Sequence, residues 1–223
     1  MTAVRTTAEL GKRDRRGTRP DRRQPETPTN IKRYWDPKFG AFACKVLPGE
    51  HFVTSDPDDM LVTVLGSCVA ACIRDPETGF GGMNHFMLPA SETGNWGDMT
   101  GAAMRYGNHA MEVLINTILA KGCPRWQLEI KLFGGGNVTD GTQLIGHKNA
   151  QFALDYLKNE GFEPAAIDLG GNRPRRIHYF PATGKVNRLL LRRSSDRDII
   201  AEERTYEAKI TTKPVAGDIE LFD

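Results

Sequence analysis

The sequence has no run of about eighteen consecutive apolar residues, so it offers no helix able to span a bilayer, and membrane insertion is not expected. Its opening stretch, MTAVRTTAELGKRDRRGTRP, lacks an apolar h-region and does not read as a secretory signal. The expected setting is therefore cytoplasmic. Cysteine is scarce: Cys44, Cys68, Cys72 and Cys123 are the four in 223 residues. They could form two disulfides in an oxidising compartment, but without a secretory signal they are expected as free thiols, one of which can be catalytic. No internal repeat is present. Residues 1–30 have almost no large apolar side chains and cannot offset their ordering entropy, so disorder is expected there. The net charge of +2 hides an asymmetry: residues 1–40 carry eleven Lys/Arg against five Asp/Glu, which leaves the remainder acidic. No aromatic residues interleave with the basic ones of the tail, so it reads as a solvated extension, and no nucleic-acid partner is expected.

What is present is a domain-sized stretch rich in hydrophobic pattern. Residues 61–65, LVTVL, are apolar and β-branched, which suits a buried strand. CVAACIRD and FGGMNHFML, on either side of DPETG, read as an antiparallel hairpin. Residues 102–121 place Met104, Met111, Leu114, Ile115 and Ile118 near one helix face, closed by Gly122. A strand, QLEIKLF, and a glycine loop, GGGN, follow. Residues 149–160 read as an amphipathic helix stopped by Gly161. RIHYF and VNRLLL flank PATGK as a second hairpin. Helices and strands interleave without a strict βαβ rhythm, so the expected fold is α/β in the α+β sense, a mixed sheet flanked by helices. The division expected is a basic extension over 1–40, a catalytic domain over 41–193 and a C-terminal extension over 194–223.

The first hairpin brings together two reactive residue types. Pairing Cys68 with His85 centres the turn between Pro76 and Glu77, inside DPETG. In that register their Cβ atoms stand about 4.5–5.5 Å apart on one face, whereas a slip of one residue would put them on opposite faces. A neighbouring imidazolium favours the thiolate, the attacking group of a cysteine hydrolase. Gly66 and Ser67 allow close backbone approach, and N–H groups there can hold an oxyanion. Thr63, on the preceding strand, is available to orient the histidine. The competing reading, a core cysteine beside a structurally bonded histidine, stays open on spacing alone.

The run LVTVLGSCVAACIRD…GGMNHFMLP resembles the chemoreceptor glutamine deamidases, the CheD family of bacterial chemotaxis. The likeness continues through RYGNHAM, KLFGGGNV, IGHKN and DLGGNRPRRIHYFPATGKV, covering about residues 44–192. The resemblance implies a cysteine-hydrolase fold shared with some toxin deamidases, an α/β sandwich. It also implies deamidation of selected glutamines on methyl-accepting chemotaxis receptors. By position, Cys68 matches the family nucleophile and His85 its base. The third member is a threonine upstream of the cysteine, for which Thr63 is available while Val62 occupies the alternative position. No cofactor is implied.

Other features carry less. GGGN at 134–137 lacks the Lys-Ser/Thr of a P-loop and reads as a tight turn that can line the substrate groove. Cys68-x3-Cys72 with His85 is unlike zinc-finger spacing and has no fourth ligand, so no metal is expected. Gln143 is a candidate substrate contact. Arg173, Arg175 and Arg176 can meet an acidic receptor surface or simply be solvated. Two rival functions remain: a non-catalytic adaptor that binds a CheC-type phosphatase, and a cysteine hydrolase or transamidase with another protein target.

Overall fold

The computed structural model describes residues 31–89, 101–138, 143–191 and 196–212; the tail over 1–30 lies outside them. The strands are β1 (Arg33–Asp36), β2 (Ala41–Lys45), β3 (His51–Thr54), β4 (Asp59–Leu65), β5 (Val69–Arg74), β6 (Gly81–Asn84), β7 (Glu129–Gly134), β8 (Ala166–Leu169), β9 (Arg175–Phe180) and β10 (Lys185–Leu190). The helices are α1 (Ala102–Leu119), α2 (Gln143–Asn159) and α3 (Asp196–Thr212). Two five-stranded sheets result, ordered β1-β2-β4-β9-β10 and β3-β6-β5-β7-β8. Each is mixed: β2 runs parallel to β4 and β7 parallel to β8, while the other pairs are antiparallel. The α+β sandwich expected from the sequence is the observed class.

Strand periodicity explains the layering. Cys68, just before β5, and Ala70 and Cys72 within it join Leu61 and Leu65 of β4 and Ile177 and Tyr179 of β9 in a core between the sheets. The alternate residues Val69, Ala71 and Ile73 face the other way, against Met111, Leu114 and Ile118 of α1 and Phe152 and Leu157 of α2. A strand buried on both faces must be apolar throughout, which is why VAACI shows no polar alternation. The β4 strand is similar, with Met60 and Val62 packed on the outer side against Phe39 and Phe180.

The first hairpin forms, in a different register from the one expected. Cys72 pairs with Met83, and Val69 bridges Phe86. Continued, this places Met87 across from Cys68 and Ala70 across from His85. The cause lies in the turn. Asp75 accepts hydrogen bonds from the Glu77 N–H (2.9 Å) and the Thr78 hydroxyl (3.0 Å), and its own N–H donates to Phe80 O. This capped loop runs from Asp75 to Phe80, longer than the sequence suggested, so its centre moves toward the C-terminus. The shift is even, so face parity is preserved.

Two further differences bear on the site. The sheet already begins at β1, within the stretch read as a tail. The second helix starts at Gln143 rather than 149, because Gly146 is accommodated inside it for a packing reason given below.

Candidate active site around Cys68

Cys68 lies between the end of β4 and the start of β5, where the chain crosses from one sheet to the other. Three carbonyls of this crossing are tied down on one side. Gly66 O accepts from Gly136 N–H (2.7 Å), Cys68 O from Gly135 N–H (2.7 Å), and Ser67 O from the Asn149 side-chain amide (2.9 Å). In a trans peptide the next residue's N–H points opposite to the fixed C=O, so the N–H groups of Ser67 and Cys68 must turn the other way. The N–H groups of Gly66, Ser67 and Cys68 all converge on one carboxylate, that of Glu203, at 2.9, 3.0 and 3.1 Å. The Ser67 hydroxyl donates to the same group at 2.7 Å. Backbone amides gathered in this way form an anion-binding nest, the arrangement an oxyanion hole requires.

The glycine loop is what makes the crossing rigid. A Cβ on Gly134 would lie 2.1 Å from Cys68 O, so no larger residue fits against the crossing. A Cβ on Gly146 would lie 2.4 Å from Gly136 O, so a glycine in α2 lets that helix press on the loop. Asn149, fully buried in α2, also accepts from Leu88 N–H (2.9 Å) and thereby joins both strands of the hairpin beside the site. The GGGN segment is a clamp on the cysteine backbone.

His85 reaches the space between the sheets from the β6 side. Its backbone leaves the hairpin ladder to bond with residues 49 and 50. Its Nδ1 lies 2.8 Å from Thr63 Oγ1, and that hydroxyl lies 2.8 Å from Val46 O. A threonine has a single hydroxyl proton, and it must go to the carbonyl, since carbonyl oxygen cannot donate. The Nδ1 position therefore carries the proton and donates to Thr63, leaving Nε2 with a free lone pair. That Nε2 is buried with no hydrogen-bond partner among the described residues. Thr63, from one sheet, thus sets the tautomer of a histidine from the other. Val62 points into the outer cluster and does not take this role.

The direct thiol–imidazole hydrogen bond expected from the sequence is not made in this state, and neither group is charged. Burial pushes the Cys68 thiol well above its usual range, and the Glu203 carboxylate beside it adds to the effect. Burial also lowers His85 to about 4. A thiolate–imidazolium pair is therefore not the resting form here. Of the remaining candidates, Gln143 opens α2, and its side chain lies outside the described residues. Arg175 is held by Asp168 at 3.0 Å and by backbone carbonyls, and Arg173 bonds carbonyls near the end of β10; both serve the sheet edge.

A family model described as CheD chemotactic sensory transduction matches residues 87–188. A protein of Rhodopseudomonas palustris (strain BisA53), named "Probable chemoreceptor glutamine deamidase CheD", is 56% identical over 197 residues, covering 88% of this chain and 92% of its own. The chain belongs to the CheD family. Relatives of the same name from Halorhodospira halophila (48% identical over 196 residues; 86% and 90% of the two chains) and Saccharophagus degradans (49% over 199 residues; 87% and 91%) agree. In this CheD-family chain, sequence reasoning missed two residues of the site. Asn149 stood in the quoted IGHKN segment, where a buried polar residue beside glycines was the available signal. Glu203 lies in the segment taken as an extension, with no local signal marking it.

Proposed function

We propose that this chain is a chemoreceptor glutamine deamidase, hydrolysing a glutamine carboxamide of a methyl-accepting chemotaxis receptor in the cytoplasm, with Cys68 as nucleophile. The observation that carries the reading is the amide nest of Gly66, Ser67 and Cys68, built beside a thiol that shares its inter-sheet space with a tautomer-fixed imidazole. Two of its donors, the N–H groups of Gly66 and Cys68, meet on one carboxylate oxygen, Oε1 of Glu203, a pair that suits the oxygen of a carboxamide on its way to a tetrahedral oxyanion.

The chemistry follows from these positions. Once a substrate carboxamide fills the nest, the Cys68 proton passes to His85 Nε2 and sulfur bonds to the carboxamide carbon. The carbonyl electrons move onto oxygen, which the N–H groups of Gly66 and Cys68 hold. Collapse breaks the C–N bond as imidazolium returns its proton to the leaving nitrogen, and ammonia departs, leaving a thioester. Nε2 then takes a proton from water as the hydroxide carbon–oxygen bond forms. The C–S bond breaks as the imidazolium returns that proton to the Cys68 sulfur, restoring the resting enzyme and releasing the new side-chain carboxyl group. Thr63 keeps Nδ1 protonated throughout, so that Nε2 is always the working atom. Water and glutamine give the glutamyl carboxylic acid and ammonia, which become glutamate and ammonium as the acid passes its proton to ammonia.

A methyl ester presents the same carbonyl with a different leaving group, so glutamyl methyl esters are a second substrate class in this proposal. A CheC-type phosphatase is proposed as a binding partner on the strength of the family resemblance. Incubation with receptor cytoplasmic domains, followed by peptide mass mapping, is the test. A receptor glutamine should gain about one dalton and ammonia should appear, both lost with Cys68→Ala. Binding to receptor with no mass change would favour the adaptor reading instead.

A further inference from the structure

An enzyme that modifies another protein's side chain must expose its nucleophile, yet Cys68 is 0% exposed and His85 only 2%. What closes the site is α3. Its Glu203, 5% exposed, fills the nest completely, taking all three N–H donors and the Ser67 hydroxyl. The occupant is chemically telling. Glutamate is the product that deamidation of glutamine would leave, with its carboxylate in the place a carboxamide would take. The side chain arrives from the middle of a helix, at a position flanked by exposed Glu202 and Arg204.

Among the described side chains of α3, Glu203 alone is buried. Glu203 and Tyr206 share its inner face at helical spacing; Tyr206 meets the Tyr106 hydroxyl of α1, packs on the edge of the inter-sheet core and lies against Gly49. Glu202 makes only a long, exposed pair with Lys45 at 3.9 Å. Between the 201–209 stretch and loop 47–50, beside Leu47 and Pro48, an open cleft of about 480 Å³ remains. A helix whose buried hold centres on Glu203, with an open cleft along one flank, can leave while the paired strands of both sheets stay in place.

We propose that α3 is an autoinhibitory helix that mimics the product. Glu203 occupies the pocket of the substrate glutamine side chain, and a receptor helix must displace α3 to be processed. This inference rests on the deamidase reading above. It also names the substrate's form: a glutamine displayed from the face of an α-helix, entering as Glu203 does. While α3 is seated, no carboxamide oxygen can reach the nest.

Full-length Glu203→Ala removes the plug and leaves the residues assigned to catalysis in place. Alkylation of Cys68 by iodoacetamide, followed by peptide mapping, should accelerate at least about tenfold, with a comparable rise in the initial rate on receptor domains. A second variant, Glu203→Gln, preserves shape and guards against a folding defect. If Glu203 sits in the substrate position, the introduced carboxamide is itself a substrate, and residue 203 should gain about one dalton on standing. Combined with Cys68→Ala, the amide should persist. Unchanged alkylation and receptor rates in Glu203→Ala, or an amide that persists at residue 203 while receptor glutamines are turned over, would overturn autoinhibition and leave the deamidase reading intact. Absence of receptor turnover in Glu203→Ala itself, with Cys68 freely alkylated, would instead overturn the deamidase reading and keep the plug.

Discussion

Cys68 and Cys72 lie on the same face of one stretch of chain, in the same core between the sheets, and burial raises the thiol pKa of both. By composition and burial they are near twins. The backbone separates them. Cys72 is in the middle of β5, its peptide groups committed to Met83 on one side and Lys131 on the other. Cys68 precedes the strand, where Gly136 and Asn149 hold the carbonyls of Gly66 and Ser67, and the N–H groups of Gly66, Ser67 and Cys68 face one carboxylate. The comparison teaches that the thiol alone does not define this site. The peptide orientation around it does, and that orientation is set by a glycine loop and an asparagine more than sixty residues away in sequence.

The sharpest way to test the contrast is to truncate each cysteine. Cys68→Ala should lower receptor deamidation by about 10⁴-fold or more, while Cys72→Ala keeps most of it; ammonia assays on matched samples decide. Should both variants lose activity equally, the distinction between the two positions fails. His85→Asn comes next, with a rate loss of about 10³-fold expected if Nε2 moves the proton.

The same histidine gives a pH signature. Its folded pKa is lowered to about 4 from 6.5, so the unfolded chain takes up a proton between these values and the folded one does not. Stability should be fully present above pH 6.5 and decline as pH falls toward 4. Urea melts at pH 7 and pH 5 should show a steeper loss for the unaltered protein than for His85→Asn. Equal losses would contradict a buried neutral imidazole.

Smaller effects probe the scaffold. Thr63→Val removes the group that fixes the tautomer, and a fall of about 10–100-fold in kcat with little change in KM is expected. Asn149→Ala leaves Ser67 O and Leu88 N–H without their partner, for a loss of about 2–4 kcal/mol in denaturant melts. Cys72→Ala should cost only about 1–2 kcal/mol, the price of one small core side chain.

Much of the central architecture was readable from the chain. Continuous apolar runs gave β4 and β5, helical spacing gave α1, and Cys68, His85 and Thr63 are on the expected strands or beside them. The Cys68–His85 pairing was not, because the Asp75 side chain lengthens its loop in a way that hydrophobic pattern does not encode. The strands β1, β3 and β8 have four residues each, too few for periodicity to stand out. The start of α2 was hidden by Gly146, which disfavours a helix locally and is explained only by contact with the GGGN loop. Glu203 was illegible for a deeper reason: it contacts Gly66 across 137 positions of sequence, and in a helix rich in exposed charge nothing marks one glutamate as buried.

The most direct measurement is to trap the intermediate. The protein with His85 intact, mixed with a glutamine-bearing receptor domain and quenched in acid during turnover, should carry the receptor fragment as a thioester on the peptide that contains Cys68. The thioester should be absent in Cys68→Ala and in His85→Asn, which lacks the base that drives acylation. An adduct on the Cys72 peptide, or turnover of receptor glutamine by the Cys68→Ala protein at an unaltered rate, would contradict it.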